Sequence, residues 1–160
     1  MKSRWLSISG IAFLSFLSNC TYNDLVSGKT VPVSSIDYLM FGHLGGFCME
    51  CDVVYKIVDG KLFGASHQMI SDPDAIQLTE LPTSSYNLVS LLTRQIPMPL
   101  VAGSTTSINI VGTPFPDVGS MYLEVSQNKK VYRWYIRSAD LPSDLQAFID
   151  SVQDALGKLK

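Results

Sequence analysis

Four residues in the first half of the chain carry the right atoms for chemistry: His43, Cys48, Cys51 and His67. Two thiols and two imidazoles are enough in number for a tetrahedral zinc or a copper site. Met49 and Met69 add thioethers that would suit copper(I). The spacing fits no familiar zinc finger, and His67 lies beyond an expected hairpin. The pair in Cys48-Met49-Glu50-Cys51 also has redox spacing. A reactive C-x-x-C sits at a helix N-terminus, whose dipole lowers the thiol pKa. Here the residues that follow, "DVVYKI", read as a strand, and Glu50 and Asp52 flank Cys51 with negative charge that would raise it. A third reading is a structural disulfide. A turn brings residues i and i+3 within ~7 Å at Cα, inside the range that a disulfide accepts.

Other catalytic patterns are lacking. There is no G-x-S-x-G, no H-E-x-x-H, no G-x-G-x-x-G and no phosphate-binding loop. Asp72/Asp74 and Asp150/Asp154 fit a turn and a solvated helix face. No cofactor and no catalytic residue is expected.

The elements that would position these residues are legible from periodicity. Ile36 to Gly42 is rich in strand formers. Val53, Tyr55 and Ile57 alternate with Asp52, Val54 and Lys56, the period of a half-buried strand. Asp59-Gly60 is a two-residue hairpin signal, because both central positions need positive φ. Lys61 to Ala65 is then the return strand. Ser84 to Ile96 reads as a helix capped by Ser84 or Ser85, with Leu88, Leu91, Leu92 and Ile96 on its apolar face and Pro97 as its stop. The second half runs in the same order. Ser107 to Gly112 reads as a strand and Pro114 to Ser120 as a turn. A hairpin follows, turning at Gln127 to Lys130, with Met121, Leu123 and Val125 sharing one face and Tyr132, Trp134 and Ile136 another. The last helix carries Leu141, Leu145, Phe148, Val152 and Leu156 inward, a capping box at Ser143 and Gln146, and a C-cap at Gly157. The expected fold class is α+β. It is a mostly antiparallel sheet of about six strands with two helices on one face, in a β-β-β-α pseudo-repeat. Glu124, Arg133 and Arg137 are expected to face water on the other side, and Trp134 to be largely buried.

The start of the chain reads as an address. "MKSRWLSISGIAFLSFLSNC" places Lys2 and Arg4 before an apolar run from Trp5 to Leu17. That run is shorter than the ~20 residues of a membrane span and has the profile of an export signal. "LSNC", Leu17 to Cys20, resembles the lipobox of bacterial lipoproteins. The resemblance implies that Cys20 carries lipid and becomes the first residue of the mature chain. The expected division is a signal peptide at 1–19, a flexible tether at 20–35 and one domain at 36–160. Thr21 after Cys20, rather than aspartate, resembles cargo sorted to the outer membrane. The membrane, reached through Cys20, is one expected partner, and an unknown envelope protein or ligand is the other. Lys2 and Arg4 leave with the signal, so ten basic residues of twelve remain against fourteen acidic ones, a formal charge of −4. No basic patch argues for nucleic acid.

Export favours the disulfide among the three readings of the cysteine loop. The compartment is oxidising, and lipidation of Cys20 leaves an even pair. Cys48 and Cys51 are therefore expected to form an intramolecular disulfide, with no metal held. Closing so short a loop contributes only about 2 kcal/mol in the chain-entropy model. Alkylation before and after reduction, read by intact mass, should show both thiols blocked until reductant is added. Two reactive thiols and stoichiometric zinc or copper, lost in Cys48→Ser, would instead establish the metal site.

"FGHLGGFCMECDVVYKIVDGKLF" also resembles a set of short, uncharacterised bacterial lipoproteins. The match is carried by Phe41-Gly42, Gly46-Phe47-Cys48, Cys51 and Tyr55-Lys56. "TPFPDVGSMYLEV" and "LPSDLQAFIDSV" are similar to later segments of those proteins. The resemblance brings no activity with it. Two function classes stay open at this point: a lipid-anchored, non-catalytic binding or interaction module of the envelope, and an envelope metal-binding protein using His43, Cys48, Cys51 and His67 or a small hydrolase.

Overall fold

The computed structural model describes residues 29–44, 52–66, 73–111, 120–137 and 141–159. Cys20, Cys48, Cys51 and His67, with the expected signal peptide and all but the last residue of the turn expected at Pro114 to Ser120, lie outside the described residues. Within them the chain is an α+β domain. Its seven strands are β1 (Ile36–Leu44), β2 (Val53–Val58), β3 (Lys61–Ser66), β4 (Thr79–Glu80), β5 (Asn109–Val111), β6 (Ser120–Gln127) and β7 (Lys130–Ile136). The helices are α1 (Thr83–Val89), α2 (Leu92–Gln95) and α3 (Ser143–Lys158). All strands join one sheet in the order β4-β3-β2-β1-β6-β7-β5.

Two hairpins make the middle of the sheet, and turn chemistry sets both. Asp59 and Gly60 take φ of 50° and 70°, and Asn128 and Lys129 take 50° and 64°. Positive φ at both central positions is the type I′ geometry whose twist matches paired strands. Lys129 is a poor residue for that region, and its backbone N–H is held by Asp37 Oδ2 at 2.6 Å. β1 lies between the two hairpins, pairing with β2 on one side and β6 on the other, Phe41 opposite Tyr55 and Leu123. The halves share their chain order but not their pairing. β1 lies antiparallel to β2, whereas β5 skips its successor and lies parallel to β7 at the sheet's end. The sheet therefore has one strand more than expected and one parallel pair.

All three helices pack on one face. Leu39, Phe41, Tyr55, Ile57, Leu62, Leu123, Val125 and Ile136 from the sheet meet Val89, Leu92, Ile96, Leu145, Phe148, Ile149, Val152 and Leu156 from the helices. The Ser84–Ile96 helix differs from expectation in two ways. It breaks at Ser90 and Leu91 into α1 and α2, and Val89 joins the expected Leu92 and Ile96 in the core in place of Leu88 and Leu91. Leu88 and Leu91 stay 50% and 59% exposed. The spacing of three and four from Val89 to Ile96 is as helical as the expected set, so periodicity alone does not separate them. Pro82 and Pro142, not serines, precede α1 and α3. Proline there needs no backbone donor, and neither cap has a side-chain hydrogen bond. α3 continues through Gly157 to Lys158, so Gly157 is not its cap.

The stretch expected as tether is folded from residue 29 onward. Thr30 bridges to Pro97, Val31 N–H donates to the Ile96 carbonyl at 2.8 Å, and Val31 is buried in the core.

Trp134 lies on the helix face as expected, opposite Leu123, but its ring is only half-buried. Its Nε1 donates to the Leu100 carbonyl at 2.9 Å. Trp134→Ala is expected to cost about 3 kcal/mol, the lower end of the range for large aromatics. Chemical denaturation of parent and variant measures this. Coincident curves would show that the ring bears no part of the core.

Candidate binding site

Strand alternation sends Tyr38, Met40 and Leu44 of β1, Val54 and Lys56 of β2, Tyr122 and Glu124 of β6, and Arg133 and Tyr135 of β7 to the face away from the helices. That face holds a second, smaller cluster: Met40, Leu44, Val54 and Tyr122, with Tyr38 and Tyr135 beside them. Ile76 and Leu78, from the chain between β3 and α1, pack over it. It is not the open polar surface expected from the sequence. Glu124 is 4% exposed.

A buried carboxylate must be fully hydrogen-bonded to be tolerated. Glu124 takes three donors. Tyr38 Oη donates to Oε1 at 2.5 Å, and Tyr122 Oη to Oε2 at 2.5 Å. Arg133 Nε donates to the same Oε2 at 2.7 Å. Arg133 also reaches Asp74 through Nη2. One guanidinium therefore joins the sheet to the segment lying over it. Lys56 Nζ stands 3.8 Å from the centre of the Tyr38 ring. Arg137, expected in water, is half-buried, its Nε donating to buried Ser120 Oγ at 2.7 Å.

The electrostatics follow from this arrangement. Burial alone would raise the Glu124 carboxyl, but the hydrogen bonds from Tyr122, Tyr38 and Arg133 outweigh it and hold the pKa below the ordinary value. Burial, and then the hydrogen bond to the Glu124 charge, push both tyrosines well above the ordinary phenol. The hydrogen bond to Glu124 raises Arg133 further. The network is thus an ionised glutamate held by two neutral phenols and a cation. Its carboxylate oxygens are engaged, so Glu124 is a clamp rather than a proton acceptor for a substrate.

Beside the clamp is an open cavity of about 230 Å³, lined by Thr105, Thr106, Ser107, Ile108, Val131 and Arg133. Asn109, next in the chain to Ile108, fastens this loop to β7. Asn109 Oδ1 accepts from Ser104 N–H at 2.8 Å, and its Nδ2 donates to the carbonyls of Ser104 and Arg133 at 2.9 and 3.0 Å. β5 runs on from this loop as the end strand of the sheet, with Ile108 41% and Ile110 59% exposed. Sequence reasoning misses this site. Its lining comes from a serine/threonine loop and from β7, and no short motif marks it.

Of the residues singled out by type, only His43 is described. It sits on β1 opposite Val53 and Met121. Among the described residues, no group of three His, Cys, Asp or Glu could hold a metal. The proposed partners Cys48, Cys51 and His67 lie outside that set, as does the disulfide pair.

No family model matches the chain, and no curated protein matches it either.

Proposed function

We propose that this is a lipid-anchored, non-catalytic interaction module of the bacterial cell envelope, tethered through Cys20, and that it binds a protein partner along β5. The observation that carries the binding role is the end strand itself. Asn109–Val111 closes the sheet with no further strand beyond it among the described residues, and it presents exposed Ile110 next to the Arg133 cavity. An edge of this kind accepts an extended segment by main-chain pairing, and a neighbouring pocket reads its side chains. The cavity offers hydroxyls and an arginine already neutralised by Glu124 and Asp74. It therefore suits a polar, uncharged side chain better than an anionic one.

The test is a photoreactive phenylalanine analogue at Ile110 in the full chain, irradiated in the producing cell. A discrete protein adduct is expected at Ile110 and none at Gln153 on the exposed side of α3. Equal adducts at both positions, or none at Ile110, would refute β5 as the contact.

A further inference from the structure

The helix side of the domain carries an apolar surface that the β5 contact does not use. Among the described residues, six large hydrophobic side chains stay exposed: Val33, Leu88, Leu91 and Met98, and, at β5, Ile108 and Ile110. Leu88 and Leu91 lie on the α1–α2 segment, Met98 follows it, and Val33 follows Val31 where the chain enters the fold. Met98 N–H donates to the Lys29 carbonyl at 3.2 Å, and Val31 is bonded to Ile96, at the end of the α1–α2 segment that bears Leu88 and Leu91. A groove of about 160 Å³ runs between that segment and α3, lined by Leu88, Leu91, Leu92, Gln95, Asp154 and Lys158 among others.

Charge marks the same region. The protein is acidic overall, yet residues 29–36 and 81–111 contain no aspartate or glutamate. Lys29 and Arg94 are exposed there, and the groove carboxylate, Asp154, is paired with Lys158 at 2.5 Å. Leucine, methionine and valine flanked by cations make the surface that lies in the headgroup region of an anionic bilayer.

We propose that this pole, Val33, Leu88, Leu91 and Met98 with Lys29 and Arg94, rests on the phospholipid surface that carries the anchor. The orientation rests on the lipidation of Cys20 proposed above. Nine residue steps separate Cys20 from Lys29, a reach of at most ~30 Å. The end of the domain at Lys29 is therefore held within that reach of the anchor. Docking adds a second membrane signal to the acyl anchor and leaves β5 open to a partner.

The experiment uses the full chain in bacterial membranes, with a photoreactive phenylalanine analogue at Leu91, Met98 or Gln77. Gln77 is exposed on the segment that covers the opposite face. Irradiated protein is digested and its adducts identified by mass, and an alkyne palmitate analogue reads Cys20 in the same sample. The expected result is phospholipid adducts at Leu91 and Met98, their loss at Gln77, and label on Cys20. Label on Cys20 without lipid adducts at Leu91 and Met98 overturns the docking and leaves the anchor standing. Lipid adducts at those positions without the label support the docking and reject the anchor. Absence of both rejects both. Arg94→Glu, which leaves the core untouched, should sharply lower the lipid adducts at Leu91. Unchanged adducts in that variant would contradict the electrostatic part of the proposal.

Discussion

Glu124→Gln is expected to cost the domain about 3–5 kcal/mol, as the loss of one partner from a buried, hydrogen-bonded ion pair does. The carboxylate is 4% exposed and receives Tyr38, Tyr122 and Arg133. An amide has one acceptor oxygen for these three donors. Its own N–H₂ would be aimed at a phenol or a guanidinium, and Arg133 would keep only the exposed Asp74 as counter-charge. Arg133→Lys should be less damaging but not neutral, since an ammonium cannot span Glu124 and Asp74 with a planar fork. Urea unfolding of the variants measures both. A Glu124→Gln domain as stable as the parent would mean that the network is decoration on a sheet held by the helix-side core alone.

The same network sets the pH limits. The folded pKa of Glu124 is depressed, so its contribution is fully present above the ordinary carboxyl value of ~4.3 and is lost as pH falls through the folded value. Asp37 is depressed in the same direction by the Lys129 N–H and the Ser126 hydroxyl. The tyrosines are raised, so their contribution is complete below the ordinary phenol value of ~10 and declines above it. Melting temperature should be level through neutral pH, fall below about pH 4, and fall again above about pH 10. In Glu124→Gln the acid fall should be shallower.

Gly42→Ala is expected to cost about 3 kcal/mol, the upper end of the overpacking range. A Cβ at Gly42 would stand 1.9 Å from the Val53 carbonyl oxygen and 2.9 Å from the Val54 Cα. Both are backbone atoms of the neighbouring strand, so no side-chain rotation relieves the contact. β1 is paired on both sides, with Val54 on one and Tyr122 on the other. The variant must therefore part β1 from β2 at the centre of the sheet. Thermal melts of Gly42→Ala against the parent chain measure the effect. Equal melting temperatures would show that the strands yield without penalty.

The hairpins, the helix-face strand residues and α3 are legible in the sequence because each is a local signal: a turn pair that needs positive φ, or a period of two or four. For Glu124, alternation yields the correct face and the wrong environment. It reports which side of a sheet a residue takes, but not what lies over that side. The cover comes from Asp74, Ile76 and Leu78, far away in sequence, in a stretch with no regular pattern. The break between α1 and α2, and the burial of Val89, escape the sequence for a different reason. Leu88 and Leu91 are as hydrophobic as Val89, and only packing against β3 and α3 chooses among them. The β5 cavity has no signature at all, since hydroxyl-rich loops are common and its arginine comes from the far hairpin.

The proposed lipid anchor at Cys20 is tested by metabolic labelling with an alkyne palmitate analogue, comparing the full chain with Cys20→Ser. Label on the parent, none on Cys20→Ser, and release of the variant or its retention as an uncleaved precursor is the predicted result. Equal labelling of both chains would contradict it.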